Sequence, residues 1–229
     1  KLSFEGVEVP DNILNEFKVV KLINAYRTRG HLFTKTNPVR DRRTYLPNLE
    51  IQNFDLSNDD LDSVFNAGEI IGVGATTLTN ILIHLERIYC NSIGIEYMYI
   101  RTPERIQWIQ EKLNHNSNSP DFSNNQKKQI LKKTIEAVAF EKFLHTKYVG
   151  QKRFSLEGGE ALIPALDALI EKAANDGVRE FIVGMSHRGR LNTLTNIFGK
   201  PVEDIFNEFD GKDYEEKAFD GDVKYHLGW

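Results

Sequence analysis

The spacing of apolar residues predicts that the first half of the chain is helical. After Asp11, which can cap a helix, apolar residues recur every three or four positions until Gly30, where the helix should end. Thr102 followed by Pro103 is a strong helix start, because Thr caps well and Pro is favoured at the first helical position. The helices predicted in this half begin near Asp11, Ser57, Leu78 and Pro103. The helix that begins at Ser57 should be short and run through Phe65.

The second half of the chain alternates between helix and strand patterns. Ser123 should open a long helix, and its buried face is expected to carry Ile130, Leu131, Ile135, Val138, Phe143 and Leu144. Residues 179–185 contain a continuous apolar run, which is typical of a strand buried on both faces in a parallel sheet. Further helices are predicted over residues 160–174, 191–198 and 202–209. This helix–strand–helix alternation predicts an α/β sheet.

A polar stretch with one proline separates the two patterns and is the best internal boundary in the chain. We therefore predict a helical N-terminal domain over residues 1–115, a linker over residues 116–125, and the beginning of an α/β domain over residues 126–229. The predicted fold class is mixed: an all-α domain followed by the start of a parallel-sheet domain.

Composition narrows the classes of function. The 229 residues carry a net charge of −4, which argues against a general nucleic-acid binder. A single cysteine, Cys90, excludes an intrachain disulfide. The longest apolar runs are far shorter than the roughly 20 residues of a membrane span, and no signal peptide precedes them. Because the chain starts at Lys1 and stops abruptly at Trp229, both ends are expected to be cut.

The most informative chemistry follows the predicted strand, where ligands bind in open α/β sheets. His187, Arg188 and Arg190 lie there with Gly184 and Gly189, directly before a predicted helix. Free backbone N–H groups and an arginine fork would together make an anion site. An exposed basic turn with an ordinary surface histidine is the alternative, and spacing alone leaves both open.

A second candidate is His226, which follows Tyr225 near the end of the chain. A histidine there could hydrogen-bond a carboxylate or move a proton near neutral pH, or it could lie in a solvated turn. Ser186 lacks the G-x-S-x-G context of a hydrolase nucleophile. The histidines show no metal-ligand spacing, so a zinc site is not expected.

Three long motifs, over residues 147–164, 184–192 and 221–228, resemble the E1 component of 2-oxoglutarate dehydrogenase. The helical half agrees with the same family over residues 22–31 and 89–98. The resemblance covers nearly the whole chain in the right order, and three long motifs together are highly specific.

The resemblance implies an enzyme that decarboxylates 2-oxoglutarate on thiamine diphosphate and passes the succinyl group to the lipoyl arm of an E2 dihydrolipoyl succinyltransferase. It implies that the α/β domain binds this cofactor and that the enzyme is a homodimer. By motif, Arg188 would contact thiamine diphosphate, and His187 and His226 would line the substrate pocket as catalytic and substrate-binding residues. The Gly-Asp-Gly motif that holds Mg²⁺ would lie beyond Trp229, so no residue of this chain is assigned to the metal. We therefore expect the chain alone to be inactive in a turnover assay.

Several alternatives stay open. A paralogue that acts on 2-oxoadipate differs by one methylene in its substrate, which is worth only about 1–3 kcal/mol of discrimination. The helical half could instead be a non-catalytic module that docks to E2 or to another subunit. The expected compartment is a bacterial cytoplasm, with the mitochondrial matrix as the alternative.

Overall fold

The computed structural model describes residues 10–37, 39–40, 48–150 and 154–210. The chain divides into two compact units, Lys1–Asp121 and Phe122–Trp229. A division into compact units does not define the domains of a longer protein, so the three predicted ranges stay a prediction. The helices are α1 (Asp11–Arg29), α2 (Leu78–Tyr89), α3 (Pro103–Asn116), α4 (Asn124–Lys147), α5 (Leu162–Asn175), α6 (Arg190–Asn196) and α7 (Val202–Phe209).

The first unit is built around the packing of α1 on α2. Their facing side chains are fully buried, among them Leu22, Ile23, Ile81 and Leu85. Gly30 follows α1 directly, and a Cβ at this position would lie 2.6 Å from the Cβ of Tyr89. A residue without a side chain therefore allows the end of α1 to approach α2 closely.

A small antiparallel ladder corrects the all-α expectation for this unit. The Ser57 start is confirmed by a capping box, in which the backbone N–H of Ser57 donates to Asp60 at 2.7 Å. The helix does not continue to Phe65, however, and ends after a single 3₁₀ turn, Asn58–Asp60. The next residues form β1 (Val64–Phe65), which pairs with β2 (Thr76–Thr77). Pairing with a distant segment has overridden the local helical signal.

The second unit is organised by the long helix α4, which contacts α5 and α6. Its predicted start is confirmed, since Ser123 and Gln126 form a reciprocal capping box. Its predicted buried face is only partly right. Phe140 and Leu144 are buried against residues of α6 and α7, whereas Leu131 and Ile135 are 60% and 57% exposed. The described partner helices cover the C-terminal half of α4 more than its N-terminal half.

The predicted parallel strand at residues 179–185 is not formed in the structure. The segment has no regular secondary structure and no ladder partner among the described residues. Its apolar side chains are accordingly open to solvent, with Ile182 91% and Val183 39% exposed. A strand exists only when a neighbouring strand completes its hydrogen bonds, and the described part of this unit supplies none.

Within the described ranges, no helix is both long enough and apolar enough to cross a lipid bilayer.

Candidate functional site

The predicted site lies in a tight turn, residues 186–189, between residues 179–185 and α6. Gly189 ends the turn in the left-handed region, with φ of +71°, and its backbone is buried. A Cβ at this position would lie 2.5 Å from Cδ1 of Leu156 and 3.4 Å from its Cβ and Cγ. Both the backbone conformation and the close packing on Leu156 therefore favour glycine here.

We call residues 154–156 the supporting segment. These three residues contact residues 187–189 of the turn. The ring of Phe154 packs against that of His187, and the carbonyl of Phe154 accepts a hydrogen bond of 2.9 Å from the N–H of Gly189. The carbonyl of Ser155 accepts a hydrogen bond from Arg188, and Leu156 packs on Gly189. The conformation of the turn is thus matched residue by residue to a second backbone segment.

His187 is half-buried and is oriented by an aromatic neighbour. Its ring centroid lies 4.1 Å from that of Phe154, and the two ring planes are inclined by 45°. Phe154 itself has a φ of +44°, an unusual conformation for a residue with a side chain. The local backbone therefore accepts some strain while Phe154 contacts the imidazole.

The two arginines of the turn have different environments. Arg188 is exposed, and its Nη1 donates to the carbonyl of Ser155 at 3.2 Å. Arg190 is half-buried, and its Nη1 donates to the carbonyl of Met185 at 2.8 Å, which closes the turn on itself. Of the two, Arg188 is therefore better placed to meet an anionic ligand.

Part of the anion site was also expected at the N-terminus of the following helix, but that helix is short. The helix that follows the turn, α6, has only seven residues. The carbonyl of Gly189 accepts hydrogen bonds from both the N–H and the hydroxyl of Thr193, each at 3.0 Å. These bonds fix the start of α6, but the positive charge at the site comes from Arg188.

His226 lies outside the described residues, as does the rest of the motif at residues 221–228. The structure therefore does not test whether His187 and His226 face one pocket. In the described parts of the chain, no three His, Cys, Asp or Glu residues gather in a way that could hold a metal ion.

Sequence reasoning missed two polar residues beneath the turn. Glu141 of α4 is 3% exposed and Asn192 of α6 is fully buried. Nδ2 of Asn192 donates to Oε1 of Glu141 at 3.0 Å, and the same oxygen accepts from the N–H of Leu156 at 3.0 Å. One signal in the sequence could have identified Glu141: its charged side chain lies on the same face of α4 as the apolar residues Ala137 and Leu144.

Comparison with known proteins shows which protein family this chain is similar to. Residues 132–228, which include the turn and most of α4, match the family model described as the dehydrogenase E1 component. A 2-oxoglutarate dehydrogenase E1/E2 component from Corynebacterium glutamicum is 46% identical over 217 residues, or 92% of this chain and 18% of that protein. A 2-oxoglutarate dehydrogenase E1 component from Cupriavidus necator is 45% identical over 211 residues, or 91% of this chain and 22% of that protein.

The similarity extends well beyond the segment that the family model matches. A multifunctional 2-oxoglutarate metabolism enzyme from Mycolicibacterium vanbaalenii is 45% identical over 227 residues, or 97% of this chain and 18% of that protein. Over nearly its whole length the chain is therefore similar to the family of dehydrogenase E1 components. Within that family its similarity is to 2-oxoglutarate dehydrogenase E1 components, so the resemblance inferred from the motifs is confirmed. The chain spans about a fifth of the length of these relatives.

Proposed function

We propose that this chain is part of an E1 enzyme that decarboxylates 2-oxoglutarate on thiamine diphosphate and transfers the succinyl group to the lipoyl arm of an E2 dihydrolipoyl succinyltransferase. The turn at residues 186–189 carries the proposal, because it presents His187 and Arg188 within the segment that matches the E1 family. The names of the relatives support the substrate, and one name joins the E1 and E2 components.

The exposed guanidinium of Arg188 fits the diphosphate group of thiamine diphosphate. One of its nitrogens is anchored on the Ser155 carbonyl, so the side chain is partly oriented before a ligand arrives. Its planar fork can donate to phosphate oxygens with the geometry that such recognition requires. When bound, the cofactor supplies the carbon nucleophile that decarboxylation of a 2-oxo acid needs. We assign the ligands of the accompanying Mg²⁺ to parts of the full-length protein outside this chain.

His187 is proposed to bind a carboxylate of the substrate. Its contact with Phe154 holds the imidazole at the turn, beside Arg188, where a dianionic substrate would be attracted. A histidine in this position can also accept or donate a proton during catalysis. His226 is proposed to line the same pocket, on the strength of the motif at residues 221–228.

The apolar segment at residues 179–185 is proposed to join a parallel sheet in the full-length protein. Its exposed apolar residues support this, because a strand buried on both faces has such a composition. In this proposal residues 126–229 begin the thiamine-diphosphate-binding domain, residues 1–115 form the helical domain and residues 116–125 connect them. The full-length enzyme would be a homodimer in the bacterial cytoplasm, since the relatives named above come from bacteria.

The test compares two exposed arginines in the full-length protein. Arg188→Ala should weaken binding of thiamine diphosphate by ~10- to 100-fold, because a charge-assisted hydrogen bond to the cofactor is lost. Arg105→Ala is the control, since Arg105 of α3 is exposed and lies outside both the turn and the proposed strand, and it should bind within about twofold of the wild type. Calorimetric titration with thiamine diphosphate and Mg²⁺ gives the dissociation constants. Equal affinities for Arg188→Ala and wild type would contradict the assignment.

The same experiment has a substrate arm. His187→Ala should lower kcat/KM for 2-oxoglutarate by roughly a hundredfold while its affinity for thiamine diphosphate stays near that of the wild type. Turnover of 2-oxoadipate should be lower than that of 2-oxoglutarate in the wild type, and a higher rate with 2-oxoadipate would favour the paralogous activity. Decarboxylation within a few-fold of the wild type in His187→Ala would remove His187 from the pocket.

A further inference from the structure

A buried polar pair, Glu141 and Asn192, connects three parts of the second unit. The carboxylate Oε1 of Glu141 on α4 accepts from the side chain of Asn192 on α6 and from the backbone of Leu156, both at 3.0 Å. Nδ2 of Asn192 also donates to the carbonyl of Ala137 at 3.0 Å, and its Oδ1 accepts from Asn196 at 2.7 Å. Burying these polar atoms is costly without such partners, so each bond restricts where α4, α6 and the supporting segment can lie.

The pair is connected to the candidate site through two backbone segments, the supporting segment and the start of α6. Glu141 holds the N–H of Leu156, and the side chain of Leu156 packs on Gly189. The supporting segment then meets His187 through the ring of Phe154, and Arg188 through the carbonyl of Ser155. On the other side, Asn192 is fixed to α4 only three residues after Gly189, where α6 begins.

We propose that Glu141 and Asn192 are positioning residues for the turn at residues 186–189. They touch neither His187 nor Arg188 in the described contacts, and they act by fixing the two backbone segments between which the turn is held. The effect on cofactor binding rests on the proposed function, whereas the effect on the turn itself does not. Packing alone would not need this pair, since apolar residues of similar size fill a buried site at no loss of stability.

The test uses matched substitutions of two glutamates on α4 in the full-length protein. Glu141→Gln keeps an oxygen that can accept both hydrogen bonds, whereas Glu141→Leu keeps the size and removes the acceptor. Glu136→Gln and Glu136→Leu are the controls, because Glu136 lies on the same helix and is a partly exposed partner of Lys132 and Lys133. Hydrogen exchange of the peptides that contain residues 154–157 and 186–190 is measured together with the affinity for thiamine diphosphate.

The expected pattern is a local loosening that the conservative variant does not show. Glu141→Leu should speed exchange in both peptides by about tenfold and weaken binding of thiamine diphosphate by about tenfold, with exchange in α5 unchanged. Glu141→Gln and both Glu136 variants should stay within about threefold of the wild type. If Glu141→Leu does not fold, Asn192→Ala replaces it, because this change removes the bond to α6 and leaves the bond between Glu141 and Leu156.

Three results would overturn the inference: unchanged exchange at residues 186–190 in the disruptive variant, equal damage from Glu141→Gln and Glu141→Leu, or equal damage from the Glu136 controls. Failure of the proposed function gives a different result. In that case the wild type does not bind thiamine diphosphate, while exchange of the turn still rises in Glu141→Leu and the positioning of the turn stands.

Discussion

The single cysteine shows how surroundings decide the chemistry of one residue. Cys90 lies just after α2 and is half-buried in the first unit. Burial and the nearby carboxylate of Glu86 raise the pKa of its thiol to about 12. At neutral pH the thiol is therefore protonated and a poor nucleophile, so Cys90 has the properties of a packing residue and not of a reactive one.

The raised pKa of Cys90 predicts a loss of stability at alkaline pH. The thiol keeps its proton longer in the folded protein than in the unfolded one, so stability is complete below the ordinary pKa near 9 and falls as pH rises toward 12. Between pH 8 and pH 10 the wild type should lose about 1 kcal/mol more than Cys90→Ala. Urea unfolding of both proteins at the two pH values measures the difference.

Measurement between pH 8 and pH 10 distinguishes the effect of the Cys90 thiol on stability from the effects of two buried tyrosines. Burial also raises the pKa of Tyr26 and of Tyr97 well above 10, so their effect on stability begins at a higher pH. Both tyrosines are kept in Cys90→Ala and serve as an internal control. An equal loss of stability in the two proteins would show that the thiol is not responsible.

At the scale of single residues, the sequence predicts those parts of the site that depend on neighbouring residues and misses those that depend on distant contacts. The positions of His187 and Arg188 in a glycine-containing turn follow from local sequence, because a turn is decided by neighbouring residues. Glu141 lies 46 residues before His187, and its role depends on contacts between α4, α6 and residues 154–156. No local pattern contains such contacts, so this residue could be found only in the folded structure.

Among the secondary-structure elements, those with a local start signal are the ones that the sequence locates best. The helix α3 begins at Pro103, and α4 begins at Asn124 directly after its cap, Ser123, as predicted. The strand β1 was predicted as helix, because its pairing with β2 depends on residues eleven to thirteen positions away. The buried face of α4 was predicted only in part for the same reason: which residues are covered depends on where α6 and α7 pack.

The cap of α4 gives a prediction at the scale of the helix. Ser123→Ala removes the side chain that accepts from the N–H of Gln126, so the first turn of α4 should be destabilised by about 1 kcal/mol. Ser119→Ala is the control, because Ser119 is exposed and its side chain caps no helix. Denaturant unfolding and hydrogen exchange of residues 124–130 measure the effect. Equal stability of the Ser123 and Ser119 variants would show that the cap contributes nothing here.

For the whole molecule, the decisive feature is apolar surface that its own described residues do not cover. Val178, Ile182 and Val183 are 45%, 91% and 39% exposed along one segment without regular secondary structure. The chain spans about a fifth of the length of the relatives it matches. Most of the residues that could pack on this apolar surface in those relatives therefore have no counterpart in this chain. A parallel sheet is assembled from strands distant in sequence, so a local apolar pattern can suggest a strand but cannot supply its partner, and the described residues supply none.

The proposed strand predicts a difference between this chain and the full-length protein. In the full-length protein the amides of residues 179–185 should pair with neighbouring strands and exchange at least about a hundredfold more slowly than in the 229-residue chain. Residues 162–175 of α5 provide the control, because their hydrogen bonds lie within one helix and should be protected in both. Peptide-resolved hydrogen exchange of the two proteins measures both segments. Fast exchange of residues 179–185 in the full-length protein would show that the apolar run is not a strand of the sheet, and the site residues that follow it would then need another scaffold.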